Sequence, residues 1–222
     1  QTTPSGNPKD RYHFTRDTAE YRAESEQGLT FGYGATYRLI STSPPRELVI
    51  ALVQADSPAA QAGLERGARI VTVDGVDLVN GTDAATLNAG LWPGQINEEH
   101  SFEVLDPGAS EPRSVTMRSG QISTDAVPKT RILDTDSGKV GYLLFTDHIL
   151  TAEQQLIDAI TEMRNASVTD LVLDLRYNRG GYLYLANQIS YMIAGAGVSG
   201  QVFNSLQFNE KSPGVNPVTG GA

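Results

Sequence analysis

The sequence predicts a mixed fold in two parts, an α+β unit of short strands followed by an α/β unit, and three observations carry that expectation. Between residues 29 and 118, strand-length apolar runs alternate with turn residues and helical patterns in the order strand, strand, short helix, strand, helix, strand, strand. Between Val140 and Leu175, two apolar runs flank an amphipathic helical pattern, which predicts parallel strands joined by a right-handed βαβ crossover. Residues 119–127, with Gly120, Gln121 and Ser123, are short and polar and mark the boundary between the parts.

Bulk properties narrow the partners. At 222 residues the chain suits one large domain or two smaller ones, and its apolar fraction supports ordinary cores. A formal charge of -9 with no basic run argues against nucleic acid or an anionic membrane surface, both of which need clustered Lys and Arg. The absence of cysteine excludes disulfides, zinc-thiolate sites and thiol catalysis. The most apolar stretch, from Tyr182 to Val198, is broken by Asn187, Gln188, Ser190 and glycines, so it reads as a core helix and predicts no membrane span. No basic-then-apolar leader opens the chain at Gln1, so any export signal is expected to have been removed or to lie outside this sequence.

Residues 1–10 lack periodicity and predict a flexible lead-in, after which Tyr12, Phe14 and Tyr21 punctuate a charged segment with helical composition at 18–26. The aromatic and β-branched run from Leu29 to Ile40 predicts a strand led by Phe31-Gly32-Tyr33-Gly34-Ala35. A dinucleotide fingerprint is rejected there, because a strand follows the glycines and Tyr37 stands where the third glycine belongs. Ser57, Pro58 and Gly63 mark the N-cap, first turn and end of a short helix, and Asp74-Gly75 closes the next strand. A helix over 83–91 ends at Pro93-Gly94, and strands at 101–105 and 114–117 finish the unit. The Gly32–Ala35 amides can hold a terminal carboxylate, the strand from Ala35 through Tyr37 can accept an extended peptide, and Leu87 and Leu91 can wall an apolar pocket. Core packing is the alternative role for each of these residues.

In the second part, Thr151 with Gln154 predicts a capping box ahead of a helix whose Leu156, Ile157, Ile160 and Met163 share one face. The helix leads to Leu171-Val172-Leu173-Asp174-Leu175, a run suited to a sheet covered on both faces and interrupted by a carboxylate that needs partners. Asn178, Gly180 and Gly181 then predict a tight turn into a helix with Leu185, Ile189, Met192 and Ile193 on one face. A strand, a glycine turn and a helix N-terminus together present free amides to an anion or oxyanion, although glycines that merely tighten the connection would read the same way.

Phe31-Gly32-Tyr33-Gly34, the run from Ser57 to Ile70, and Val73-Asp74-Gly75 resemble a PDZ domain of the bacterial protease type over roughly residues 28–118, with Ala68 where such domains usually carry Asp. Val140-Gly141-Tyr142-Leu143-Leu144-Phe145, the capped helix and the run from Leu171 to Gly181 resemble the catalytic core of carboxyl-terminal processing (tail-specific) serine proteases, and Asp10-Arg11-Tyr12 is similar to that family's lead-in. The resemblance implies a lead-in and helix at 1–27, a PDZ-like partly open β-barrel with two helices at 28–118, and at 119–222 the first half of an α/β core of the ClpP/crotonase type. It implies a PDZ domain that recognises substrate C-termini, a Ser–Lys pair that cuts, and an oxyanion hole at Gly181 or, failing it, Gly180. Arg179 departs from the family's usual proline, losing a fixed φ and adding a charge.

No Ser is followed three residues later by Lys, and Ser199 fails the Gly-x-Ser-x-Gly elbow at Gln201. By resemblance the nucleophile and base lie beyond Ala222, so this chain alone is expected to bind and not to cut. His13, His100 and His148 have no diagnostic spacing, and Asp134-Thr135-Asp136-Ser137-Gly138 lacks the ligands of a calcium loop. No metal or cofactor is expected. The expected partners are protein or peptide C-termini, and family habit implies a bacterial cell envelope or periplasm. Two rivals remain: a peptide-binding adaptor with a dead protease-like domain, and a crotonase-type acyl-thioester enzyme, which the PDZ-like part disfavours.

Overall fold

The computed structural model describes residues 15–205 and Glu210. The expectations for residues 1–10, Tyr12, His13, Phe14 and the Asp10-Arg11-Tyr12 resemblance lie outside the described residues.

Helix α1 (Thr18–Gln27) is capped by Asp17, whose carboxylate accepts from the Ala19 and Glu20 amides, and it ends at Gly28 in the left-handed region. It buries no side chain and is held through its C-terminal turn, where Ser25 O accepts from the Leu150 amide at 2.9 Å. The expected single strand over 29–40 is two strands, β1 (Leu29–Gly32) and β2 (Ala35–Ser41), because Gly32 and Gly34 take positive φ and bend the chain between them. A six-stranded antiparallel sheet runs β2, β3 (Glu47–Val53), β4 (Arg69–Val73), β6 (Glu99–Leu105), β7 (Arg113–Arg118), with β5 (Val76–Asp77) pairing β4. Helices α2 (Pro58–Gln61) and α3 (Ala84–Leu91) complete this part; Ser57 caps the first and Asp83 the second. Its core gathers Ile50, Ile70, Val73, Phe102 and Val104 with Tyr33 and Leu87. Each fully buried side chain of this kind contributes about 1.5–3 kcal/mol.

The polar segment read as the boundary between the parts contains a strand, β8 (Gly120–Ser123), antiparallel to β1 from Leu29↔Ser123 to Gly32↔Gly120. Ile122 is its one buried apolar residue, so the alternation is too short to read as a strand, while pairing with β1 satisfies the backbone. From β8 the chain is stitched into the second part: the Ala126 amide donates to Gln155 Oε1, and Ala126 O accepts from the Thr146 amide.

The second part is a three-stranded sheet ordered β11 (Asp170–Asp174), β10 (Gly138–Leu144), β9 (Lys129–Thr135). β10 and β11 are parallel, joined by α4 (Ala152–Asn165), which is the βαβ unit expected from the sequence. Leu143, Phe145, Leu156 and Leu185 form its core with α5 (Leu183–Ala194). Two local expectations are corrected. Thr151 adopts helical φ/ψ and makes no cap bond, and Gln154 donates to Asp158 instead, so no capping box forms; Ile149 O and Leu150 O serve the amides of Ala152 and Glu153. Among the described residues β11 is the end strand of its sheet with Val172 half exposed, so the run at 171–175 is packed on one face and open on the other.

Candidate active-site corner and peptide groove

The corner after β11 is fixed from both sides. Asp174, only 7% exposed, takes Arg176 in a bidentate pair and the Tyr142 hydroxyl at 2.7 Å, supplying the partners a buried carboxylate needs. The Arg176 guanidinium, aided by Tyr142 and the Arg176 amide, holds the Asp174 carboxyl well below the usual carboxylate range despite burial. A carboxyl depressed in the folded state contributes stability that is complete above about pH 4 and is lost as pH falls through the folded value. Asp174→Asn is therefore expected to be about 1–2 kcal/mol less stable than the parent at neutral pH, the exposed Arg176 limiting the effect. Urea melts across pH should find the gap narrowing below pH 4; a gap independent of pH would contradict the assignment.

Beyond Arg176 the backbone is clamped to residues 145–148. Asn178 Nδ2 donates to Phe145 O at 3.1 Å while its Oδ1 accepts from the Gly180 amide at 2.9 Å. The Arg179 amide donates to Thr146 O at 2.9 Å, a bond that a proline could not make. The His148 amide donates to Gly180 O and the Tyr182 amide donates to His148 O, so the turn runs as a parallel bridge to His148.

The two candidate glycines consequently differ. The Gly180 amide is used by Asn178, whereas the Gly181 amide has no acceptor among the described residues. Gly181 sits at φ +133°, and an added Cβ would lie 2.4 Å from His148 O; Gly180, at φ +77°, has open space. Both glycines line a cleft of about 260 Å³ with Tyr21, Asp147, His148 and Arg179, at the N-terminal end of α5. An unpaired amide beside a helix N-terminus can stabilise negative charge developing in that cleft.

A second cleft, about 330 Å³, brings together Gly32, Tyr33, Gly34, Ala35, Tyr37 and Leu91. Leu87 is not in its wall and packs in the first core. The carbonyls of Tyr33 and Gly34 are bound inward by the amides of Ala59 and Gln54, while the Tyr33 and Gly34 amides have no acceptor among the described residues. Gly34 is at φ +74°, and an added Cβ would lie 2.3 Å from Ser57 Cβ. β2 bounds this cleft as the edge of its sheet, with one backbone edge unpaired among the described residues. Tyr37 and Trp92 meet edge to face at 6.3 Å beside it.

Asn178 as a two-ended clamp and the segment 145–148 as the corner's partner were not singled out as site residues from the sequence. The signal for the first is Asn two residues before Gly180, the spacing of an Asx turn. Residues 145–148 carry no local signal, since what they contribute is mostly backbone.

Residues 139–213 match the family Peptidase family S41, and residues 49–90 match PDZ domain. The carboxyl-terminal-processing protease of Synechocystis sp. is 31% identical over 140 residues, 62% of this chain and 32% of its own length. Carboxyl-terminal-processing peptidase 2, chloroplastic, of Arabidopsis thaliana is 29% identical over 162 residues, 70% of this chain and 30% of its own length. The chain thus spans about a third of the length of these relatives. A putative S41 protease from Bacteroides fragilis shares the fold with a TM-score of 0.53 at 21% identity, over 81% of this chain and 52% of that one. The photosystem II D1 C-terminal processing protease does so with 0.50 at 22%, over 78% and 46%.

Proposed function

The chain belongs to the C-terminal processing proteases of peptidase family S41 and carries a PDZ domain, and from that premise we propose that it is the substrate-gripping and oxyanion-stabilising part of a serine endopeptidase. In this reading the PDZ domain binds a protein's C-terminus, with the Tyr33 and Gly34 amides on the carboxylate and β2 receiving the peptide as an added strand. An upstream peptide bond is then cut, its tetrahedral oxyanion held by the Gly181 amide. The Ser nucleophile and Lys base are assigned to sequence outside these 222 residues, where burial would lower the lysine's pKa enough for it to act as base. The second part is read as the first half of a ClpP/crotonase-like core, and the 222-residue chain alone as binding without cutting.

The observation that carries this reading is the Gly181 amide, without an acceptor among the described residues, in a cleft at a strand-to-helix corner where the amides of Arg179, Gly180 and Tyr182 on either side are engaged. The test is cleavage of an unfolded protein with an apolar C-terminus by the full-length parent, compared with the same protein amidated at its C-terminus. Faster cleavage of the free form supports the proposal. Binding without cleavage would replace it with a peptide-binding adaptor, and neither binding nor cleavage would refute both. The proposed location is a bacterial cell envelope or periplasm, on family habit; two Arabidopsis relatives are chloroplastic, and recovery of the parent in the cytosolic fraction would contradict it.

A further inference from the structure

Arg179 is the one corner residue that lines the peptide groove. It contributes to the walls of three clefts: the groove beside Gly32 to Ala35, the corner cleft, and a third of about 580 Å³ between β2, β3 and the corner. Its guanidinium is held by Nε donating to Asp147 Oδ1 at 2.7 Å, and the Asp147 side chain is 9% exposed. Its Nη1 stands 3.9 Å from Glu24 Oε1, but Glu24 is engaged more closely by Arg16 at 2.5 Å. Nη2 has no acceptor among the described residues. The two carboxylates facing Arg179 are thus matched by two cations, and an outer edge of a fixed guanidinium is left for a further anion. Because Asp147 already orients the side chain, less rotamer freedom is lost when that edge is used.

We propose that Arg179 is a specificity residue of the peptide groove that recognises a carboxylate of the bound polypeptide. This rests on the peptide-binding reading above and deepens it. The carboxylate comes from the chain terminus seated at the Tyr33 and Gly34 amides or from an acidic side chain near that terminus; the chemistry is the same, a fork meeting a planar anion. In either case the selectivity belongs to this chain's arginine rather than to loop amides alone.

The test is fluorescence anisotropy of the 222-residue chain with three labelled peptides sharing an apolar C-terminal sequence: one with a free carboxylate and no acidic side chain, one amidated, and one amidated with a single Glu near the end. Arg179→Gln is expected to weaken binding about fivefold for the peptide whose carboxylate Arg179 reads, the scale of an ion pair open to solvent on one side. The amidated neutral peptide should be unaffected, and Arg179→Lys should recover part of the loss. Loss with the first peptide identifies the terminal carboxylate, and loss with the third identifies the acidic side chain. Equal affinities of parent and Arg179→Gln for all three overturn the proposal and leave peptide binding standing. A matching loss for the amidated neutral peptide also overturns it, since that marks a structural role, and thermal melts of both variants check folding directly. If the parent binds none of the three, the peptide-binding reading falls and this inference with it.

Discussion

Alanine at Gly181 is expected to dismantle the corner, destabilising the fold by roughly 3–4 kcal/mol, whereas alanine at the adjacent Gly180 costs about 1 kcal/mol. The asymmetry follows from where each Cβ would go. At Gly181 it would meet backbone, the His148 carbonyl at 2.4 Å, at a φ of +133° that side chains rarely adopt. That carbonyl already accepts from the Tyr182 amide, so it cannot yield without breaking the bridge that positions α5. At Gly180 there is open space, and only the left-handed φ of +77° resists substitution. Urea melts of the parent and both variants decide the matter. Similar losses at the two positions would mean that the close approach to His148 does not govern this turn.

Gly34→Ala is expected to produce the second large effect, roughly 3 kcal/mol of stability together with loss of peptide binding. The new Cβ would lie 2.3 Å from Ser57 Cβ and 2.7 Å from Ser57 Oγ. Ser57 is buried, caps α2 by accepting from the Ala60 amide at 3.2 Å, and donates to Gln54 O at 2.7 Å. Relieving the clash therefore displaces either the cap or the 33–34 bend, and the bend presents the two free amides. Gly32→Ala is the control: φ is +138° but nothing lies within 4 Å, so only backbone strain is added. Thermal melts paired with peptide titration check both parts, and a Gly34→Ala chain binding peptide like its parent would contradict the placement of the groove.

Features with a local cause were legible in the sequence. Ser57-Pro58 and Gly63 bracket α2 because capping and φ preferences act within one turn, and the period change after Gly181 marks α5 because its buried face repeats along the helix. The crossover from β10 through α4 to β11 followed from two apolar runs around an amphipathic helix. Features whose cause is distant in sequence were not legible. β8 exists because β1, some ninety residues earlier, offers it a partner. Leu87 faces the core rather than the groove through the rotation of α3 against β4, which helical spacing from Leu91 does not specify. The corner was found from its glycines, but the difference between Gly180 and Gly181 depends on which amide Asn178 captures and on the bridge to His148.

Cleavage in this reading depends on one backbone N–H, that of Gly181, which has no acceptor among the described residues and is free to receive charge. Semisynthetic replacement of Gly181 by glycolic acid in the full-length parent removes that N–H as an ester oxygen while keeping the glycine geometry. The replacement also makes Gly180 O an ester carbonyl, a weaker acceptor for the His148 amide, so a stability loss of at most about 1 kcal/mol is expected together with peptide-bond turnover lowered about 10²–10³-fold. Unchanged turnover in a folded ester variant would contradict this role, as would a stability loss of several kcal/mol, larger than the weakened Gly180 carbonyl explains.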